Sequence, residues 1–220
     1  MSLSKLTLLA VASAFVAGSV AAHADSLNLG SPGEFLTYSF DNHTETGAGG
    51  NFSPSSAVIG GKTVVFDAVY CVDLSDFITP NKTYNDTTFT TNGVVNGQFV
   101  HNRNQIAWLL LNIVATTADQ EAGLQAAIWE EEYGHDFTLI TGGNVAADQQ
   151  ADLWALDHAG NYSSSLYTQV DWISPGTSSE DCNTLQGLVG VDPVPEPGTL
   201  SLLGTGILGI AGMIRRRMTA

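Results

Sequence analysis

Val64-Val65-Phe66-Asp67-Ala68-Val69-Tyr70-Cys71-Val72-Asp73-Leu74 is the segment on which the fold turns. It reads as the clearest strand of the chain, opened by Gly60-Gly61 and followed by Pro80-Asn81. Side chains alternate across a strand. One face carries Val64, Phe66, Ala68, Tyr70, Val72 and Leu74, all apolar or aromatic. The other carries Val65, Asp67, Val69, Cys71 and Asp73. Cys71 is therefore expected off the greasy face, beside two carboxylates, where another element can meet it.

Upstream, Leu36 to Phe40 reads as a short strand, and His43 to Pro54, with Gly47, Gly49 and Gly50, as a loop. Downstream, Tyr84 to Thr91 favours strand and ends at the turn-like Asn92-Gly93. The period then changes. Asn104 to Val114 places Ile106, Leu109, Leu110 and Ile113 at helical spacing. Ala118 to Tyr133 is a second helix, with Leu124, Ala127, Ile128 and Glu131 on a 3.6 period and Gly134 as its cap. Asn144 to His158 is expected as a third helix. Leu166 to Ile173 returns to strand and stops at Pro175. Strands, then helices, then strand give α+β: an antiparallel sheet or barrel-like portion with an inserted helical portion, rather than a parallel sheet. The expected organisation is a signal peptide over 1–24, the α+β domain over 25–175, a linker over 176–193 and a tail over 194–220.

Charge sets limits on partners. All 22 acidic residues lie between Asp25 and Pro197, against only Lys62, Lys82 and Arg103. A body so acidic excludes nucleic acid, whose phosphates need clustered Lys and Arg. The start has the three parts of a secretory signal: Lys5, the apolar run Leu6 to Val16, and small residues in Ala22-His23-Ala24, with cleavage expected before Asp25. The end has Val194-Pro195-Glu196-Pro197, an uncharged apolar stretch from Gly198 to Ile214, and Arg215-Arg216-Arg217. As a helix that stretch is about 25 Å long, near the lower limit for crossing a bilayer. The arginines would then stay cytoplasmic and the acidic body outside.

The order Pro195-Glu196-Pro197, short apolar helix, Arg215-Arg216-Arg217 resembles the PEP-CTERM sorting signal of Gram-negative bacteria. That resemblance implies an exosortase-type processing enzyme as partner and transient anchorage in the inner membrane. It implies release of the tail near the Pro-Glu-Pro step, and a final place at the cell surface or in the extracellular polysaccharide or biofilm matrix.

Two residues in the body ask for an explanation. Exported proteins pair their cysteines, so a Cys71–Cys182 disulfide is the ordinary expectation. Yet Cys71 sits on a mixed strand face while Cys182 lies among Ser, Asp and Glu. Gln125 stands inside the apolar run Leu124-Gln125-Ala126-Ala127-Ile128-Trp129, on the side shared with Ile128 and Trp129. A buried amide needs hydrogen-bond partners, and a satisfied core glutamine is the plainest account of it.

Tyr70-Cys71-Val72-Asp73 followed by Leu124-Gln125-Ala126-Ala127-Ile128-Trp129 resembles the thioester domains of bacterial surface adhesins. The resemblance spans about residues 64–175. Leu124 stands where that family often has Thr, and its third motif, an apolar-Gln-apolar strand, is met only loosely by Thr168-Gln169-Val170-Asp171. The resemblance implies that the Cys71 sulfur is acylated by the Gln125 side chain, with Asp73 as the motif's acid and Tyr70 and Trp129 shielding the bond. An amine-bearing surface protein would then attack it in a single-use reaction without turnover, so the chain is expected not to be an enzyme.

Other chemistry finds little support. His101, His135 and His158 lack metal-ligand spacing, and Asp73-x-x-Asp76 is too short to argue calcium. Glu130-Glu131-Glu132 reads as a solvated helix end. No cofactor and no metal are expected. The rival to the thioester is a non-reactive structural or polysaccharide-associated matrix protein with a Cys71–Cys182 disulfide. A secreted hydrolase has no nucleophile or metal motif behind it.

Overall fold

The computed structural model describes residues 24–141, 163–176 and 185–192. The expected signal peptide, third helix and tail lie outside the described residues, as do Cys182 and His158. In chain order the first strands are β1 (Ser26–Leu29), β2 (Glu34–Phe40), β3 (His43–Gly49), β4 (Ser56–Ile59), β5 (Lys62–Val65), β6 (Ala68–Cys71), β7 (Lys82–Asn85) and β8 (Thr88–Thr90). After them come β9 (Val94–Val95) and β10 (Gln98–Phe99), then helices α1 (Arg103–Asn112) and α2 (Ala118–Tyr133). Strands β11 (Phe137–Thr141), β12 (Asp171–Ser174) and β13 (Leu188–Val191) complete the set.

The strands form three antiparallel sheets and one small ribbon, in the orders β5-β4-β1-β7, β11-β2-β3, β6-β13-β12-β8 and β10-β9. With the two α-helices among the described residues this is α+β. No sheet closes on itself among the described residues, so the barrel-like part of the expectation is corrected.

Tight turns account for much of the difference from the sequence reading. Asp41-Asn42, Gly60-Gly61 and Asn96-Gly97 all have positive φ at both positions. Such two-residue turns match the twist of a hairpin. They join β2 to β3, β4 to β5 and β9 to β10. The glycines after His43, expected to make a loop, therefore lie in strand β3 or just past its end. The long strand expected over 64–74 is two strands in two sheets. It breaks at Phe66-Asp67, where Phe66 N–H donates to Ser55 O at 3.0 Å and Asp67 N–H to Val191 O at 2.9 Å. The strand expected from Tyr84 likewise divides into β7 and β8, with Asp86 at positive φ between them.

Helix α2 has the bounds expected of it, with Gly134 as C-cap and Thr117 accepting at the N-terminus from Gln120 N–H. Every residue from Ala122 to Trp129 is buried. A helix buried on all sides is a core element rather than a surface one. Ala122, Ala126 and Trp129 pack in one core cluster with Leu36, Tyr38, Val69 and Cys71. Leu124, Ala127 and Ile128 pack in a second with Tyr70, Val72 and Ile106 of α1. Strand β6 thus divides the two clusters and is buried on both faces, which corrects the mixed face expected for Cys71.

The stretch 176–193 was expected as a linker. Its residues Leu188–Val191 instead form a central strand, pairing β6 on one side and β12 on the other. Hydrogen bonding in the middle of a sheet outweighs the polar run before it. At the far end of this pair Asp171 faces Asp192. Burial, and then the Asp192 charge, push the Asp171 carboxyl up from 3.8 to about 7. The folded chain keeps a proton there that the unfolded chain has released, so this group lowers stability as pH rises from 3.8 towards 7. Asp171→Asn is expected to raise the thermal midpoint by about 2–4 °C at pH 7. The gain should fade below pH 4, as melting curves at the two pH values will show.

Candidate functional site

A strand at the edge of a sheet presents unpaired N–H and C=O groups, and burying them unpaired is costly. Strand β6 is such an edge, with β13 on one side only. Its open side faces the core. There Val69 N–H donates to Asn51 Oδ1 at 2.9 Å, and Phe52 N–H donates to Val69 O at 2.8 Å. Two residues on, the partner is a side chain from α2. Cys71 N–H donates to Gln125 Oε1 at 2.9 Å, and Gln125 Nε2 donates to Cys71 O at 2.7 Å. The Gln125 carboxamide pairs with the Cys71 backbone as a neighbouring strand would. Both residues are 0% exposed. Gly49 of β3 makes room for Leu36, since a Cβ there would lie 2.6 Å from a Leu36 methyl, while it would only touch Gln125 Cγ at 3.5 Å.

The Cys71 side chain is a free, buried thiol. Burial, and then the charge of Asp73, push its pKa far up, so the sulfur carries its proton. It donates to Gln186 Oε1 at 3.1 Å. Gln186 Nε2 in turn donates to the main-chain oxygen of Asp73. Gln186 is held just before β13, where Gly187 O accepts from Val72 N–H at 2.9 Å. A Cβ at Gly187 would sit 1.9 Å from Val95 Cγ1, so only glycine lets this segment lie so close.

Asp73 also borders a cavity of about 350 Å³, lined by Asp76, Asn96, Phe99, Glu132 and Tyr133 among others. The Asp73 carboxylate accepts from Ser75 N–H at 2.7 Å, from Tyr133 O–H at 3.4 Å and from Asn96 Nδ2 at 3.4 Å. Asn96 Nδ2 also donates to Leu185 O at 2.7 Å, tying the cavity wall to the Leu185-Gln186 segment. Glu132 was expected to be solvated. It is instead half-buried, with its carboxyl pushed up to about 8 by burial and by the Asp73 charge, and partly restored by the His101 backbone. Its Oε2 is buried without a hydrogen-bond partner.

Of the residues singled out in the sequence, Cys71 and Gln125 meet directly, and Asp73 adjoins them through Gln186. Trp129 is buried one helical turn beyond Gln125 and packs on Tyr38 with ring centroids 5.1 Å apart. Its indole Nε1 is buried and unpartnered. Tyr70 points into the second cluster, on the opposite face of β6 from the sulfur. Gln169, matched to the third motif, is exposed in a 3-10 turn and does not approach Cys71. The glutamine that does is Gln186. The signal for it was legible: Leu185-Gln186-Gly187-Leu188-Val189 is an amide among apolar residues ahead of a strand. Residues 195–197 and 215–217 lie outside the described residues.

Comparison with known families gives one match, the PEP-CTERM protein-sorting motif, over residues 193–217. It marks an exported protein with a C-terminal sorting signal of the kind an exosortase processes. No curated protein and no solved structure matches the chain.

The pairing of Gln125 with Cys71 gives a direct expectation for stability. A Cys71→Ala background keeps the backbone groups and removes the sulfur. Within it, Gln125→Ala leaves one buried donor and one buried acceptor unpaired. The expected cost is about 2–5 kcal/mol by chemical denaturation.

Proposed function

We propose that this exported chain is a cell-surface or extracellular-matrix protein of a Gram-negative bacterium whose domain forms an internal Cys71–Gln125 thioester. The bond would couple the chain covalently to an amine-bearing target, by one use and without turnover. The observation that carries this reading is the docking of the Gln125 carboxamide on the peptide of Cys71, a residue whose thiol is in no disulfide and donates to Gln186.

The chemistry follows from that arrangement. A primary amide is a poor electrophile, so attack on it needs enforced proximity and a polarised carbonyl. The fixed position of α2 against β6 supplies the first. The Cys71 N–H on Gln125 Oε1 supplies the second, since it can stabilise the negative charge that grows on that oxygen. In the step itself, the Cys71 Sγ–Gln125 Cδ bond forms and the Cδ–Nε2 bond breaks. The thiol proton passes to Nε2, and ammonia leaves. The hydrogen bond to Cys71 O is lost with it, while the one to Oε1 is kept. Gln186 is a positioning residue, because its Oε1 holds the thiol. The protonated thiol works against reaction, since the thiolate is the better nucleophile.

A second reading keeps the same geometry without the bond. Gln125 then serves only to cap the buried edge of β6, and the chain is a non-reactive structural or polysaccharide-associated matrix protein. The complete pairing of both carboxamide atoms favours it. Among the described residues Cys71 carries a free thiol, and Cys182, the partner expected in this reading, lies outside them.

Intact mass of the purified exported chain separates the two. The thioester predicts a product lighter by one ammonia, restored to full mass in Gln125→Ala and in Cys71→Ala. Full mass in the parent, or a loss that survives Cys71→Ala, would sink the thioester.

A further inference from the structure

We infer that the Gln186 side chain is a latch over the Cys71 sulfur, fastened while the sulfur carries its hydrogen and unfastened when the sulfur is acylated. The latch on the thiol stands on geometry alone. Its release by acylation rests on the thioester reading and adds to it a control on when the bond can be reached.

Position comes first. Tyr38, Trp129 and Leu188, which share a core cluster with Cys71, are 2% exposed or less. Of the two side chains bonded to Cys71, Gln125 is 0% exposed and Gln186 is 8% exposed. Gln186 N–H donates at 3.4 Å to the main-chain oxygen of Phe77, itself 65% exposed. Gln186 therefore stands on the side of the sulfur that leads to solvent. Its backbone is anchored before and after it. Leu185 O accepts from Asn96 Nδ2 at 2.7 Å, and Gly187 O accepts from Val72 N–H at 2.9 Å and Asp73 N–H at 3.4 Å. Leu188 pairs with Cys71 across the sheet. Motion at this point is left to the side chain.

Chemistry comes second. Two bonds hold the Gln186 carboxamide: Oε1 accepts from Cys71 Sγ at 3.1 Å, and Nε2 donates to Asp73 O. Burial keeps the sulfur protonated, so the donor to Oε1 is present in the thiol. A thioester sulfur has no hydrogen to give. Oε1 is then left facing a weak acceptor, and a buried carbonyl oxygen without a donor is unfavourable. One of the two fastenings is gone, and the side chain is better satisfied turned out to water.

An amine that reaches the bond restores the first state. Its nitrogen bonds to Gln125 Cδ, and the Cδ–Sγ bond breaks with its electrons going to sulfur. One proton from the nitrogen ends on that sulfur, leaving an amide and a thiol. The thiol refastens Gln186 over a site that has already reacted.

Solvent exchange of the Gln186 side-chain amide hydrogens reads the latch, followed by NMR on the purified exported chain. Each rate is divided by that of the β13 backbone amides, which report opening of the whole sheet. Gln125→Glu keeps the thiol and offers no amide to attack. Cys71→Ser keeps a hydroxyl donor, and Cys71→Ala keeps none. The ratio should be low in the first two and at least about fivefold higher in Cys71→Ala. A ratio in Cys71→Ala that matches the other two, or an unprotected Gln186 in all three, overturns the latch. A parent that has lost ammonia should exchange as Cys71→Ala does; exchange as slow as in Gln125→Glu would overturn release by acylation. A parent at full mass removes the thioester reading, while the three variants still decide the latch on the thiol.

Discussion

The structure depends on how the open edge of β6 is satisfied inside the core. An edge strand is ordinarily tolerable because water pairs with it. Here the edge turns inward, towards a helix, where no water can serve. Two devices replace the missing strand. Asn51 and the backbone of Phe52 take Val69, and the Gln125 carboxamide takes Cys71. Because a carboxamide has one donor and one acceptor at the spacing of a peptide, it fits an antiparallel edge without distortion. Helix α2 is thereby fixed in rotation and height against the sheet, and its neighbours Leu124 and Ala126 fall into opposite core clusters.

The same interaction determines what the site can do. Capping an edge and presenting an electrophile call for the same placement of one amide, and they differ only in whether sulfur reaches Cδ. The pairing is asymmetric in its consequences. Loss of ammonia sacrifices the bond to Cys71 O but leaves the Cys71 N–H on the acyl oxygen, so the cap is halved rather than lost. In the proposed thioester a covalent bond would hold α2 to β6 in its place. The structural role of Gln125 is thus compatible with the proposed reactive one and would prepare it.

How much of this the sequence disclosed varied with the kind of signal. Helix α2 was legible to the residue because its apolar run is bounded by Thr117 and by Gly134, whose backbone reads as a stop. Cys71 and Gln125 were legible as a pair through local motifs. The faces of 64–74 were not. Alternation assumes one continuous strand between one core and solvent, whereas this segment changes sheets at Phe66-Asp67 and ends between two cores. Strand β13 was hidden because four residues after a polar run carry little periodicity, and their burial is decided by partners far away in the chain. Gln186 was missed for that reason: its segment was read as linker, and Gln169 was matched in its stead. The burial of Glu132 likewise depends on partners far away in the chain, the His101 backbone among them, which no local pattern encodes.

In the proposed thioester, protection and release come from the same burial. A thiolate is a better leaving group when its pKa is low, and the Cys71 environment raises that pKa through desolvation and the Asp73 charge. Water entering alone would face a sulfur that is costly to expel as an anion. Release by an amine would then depend on a proton reaching that sulfur as the bond breaks, so the burial that protects the bond also sets the condition for opening it.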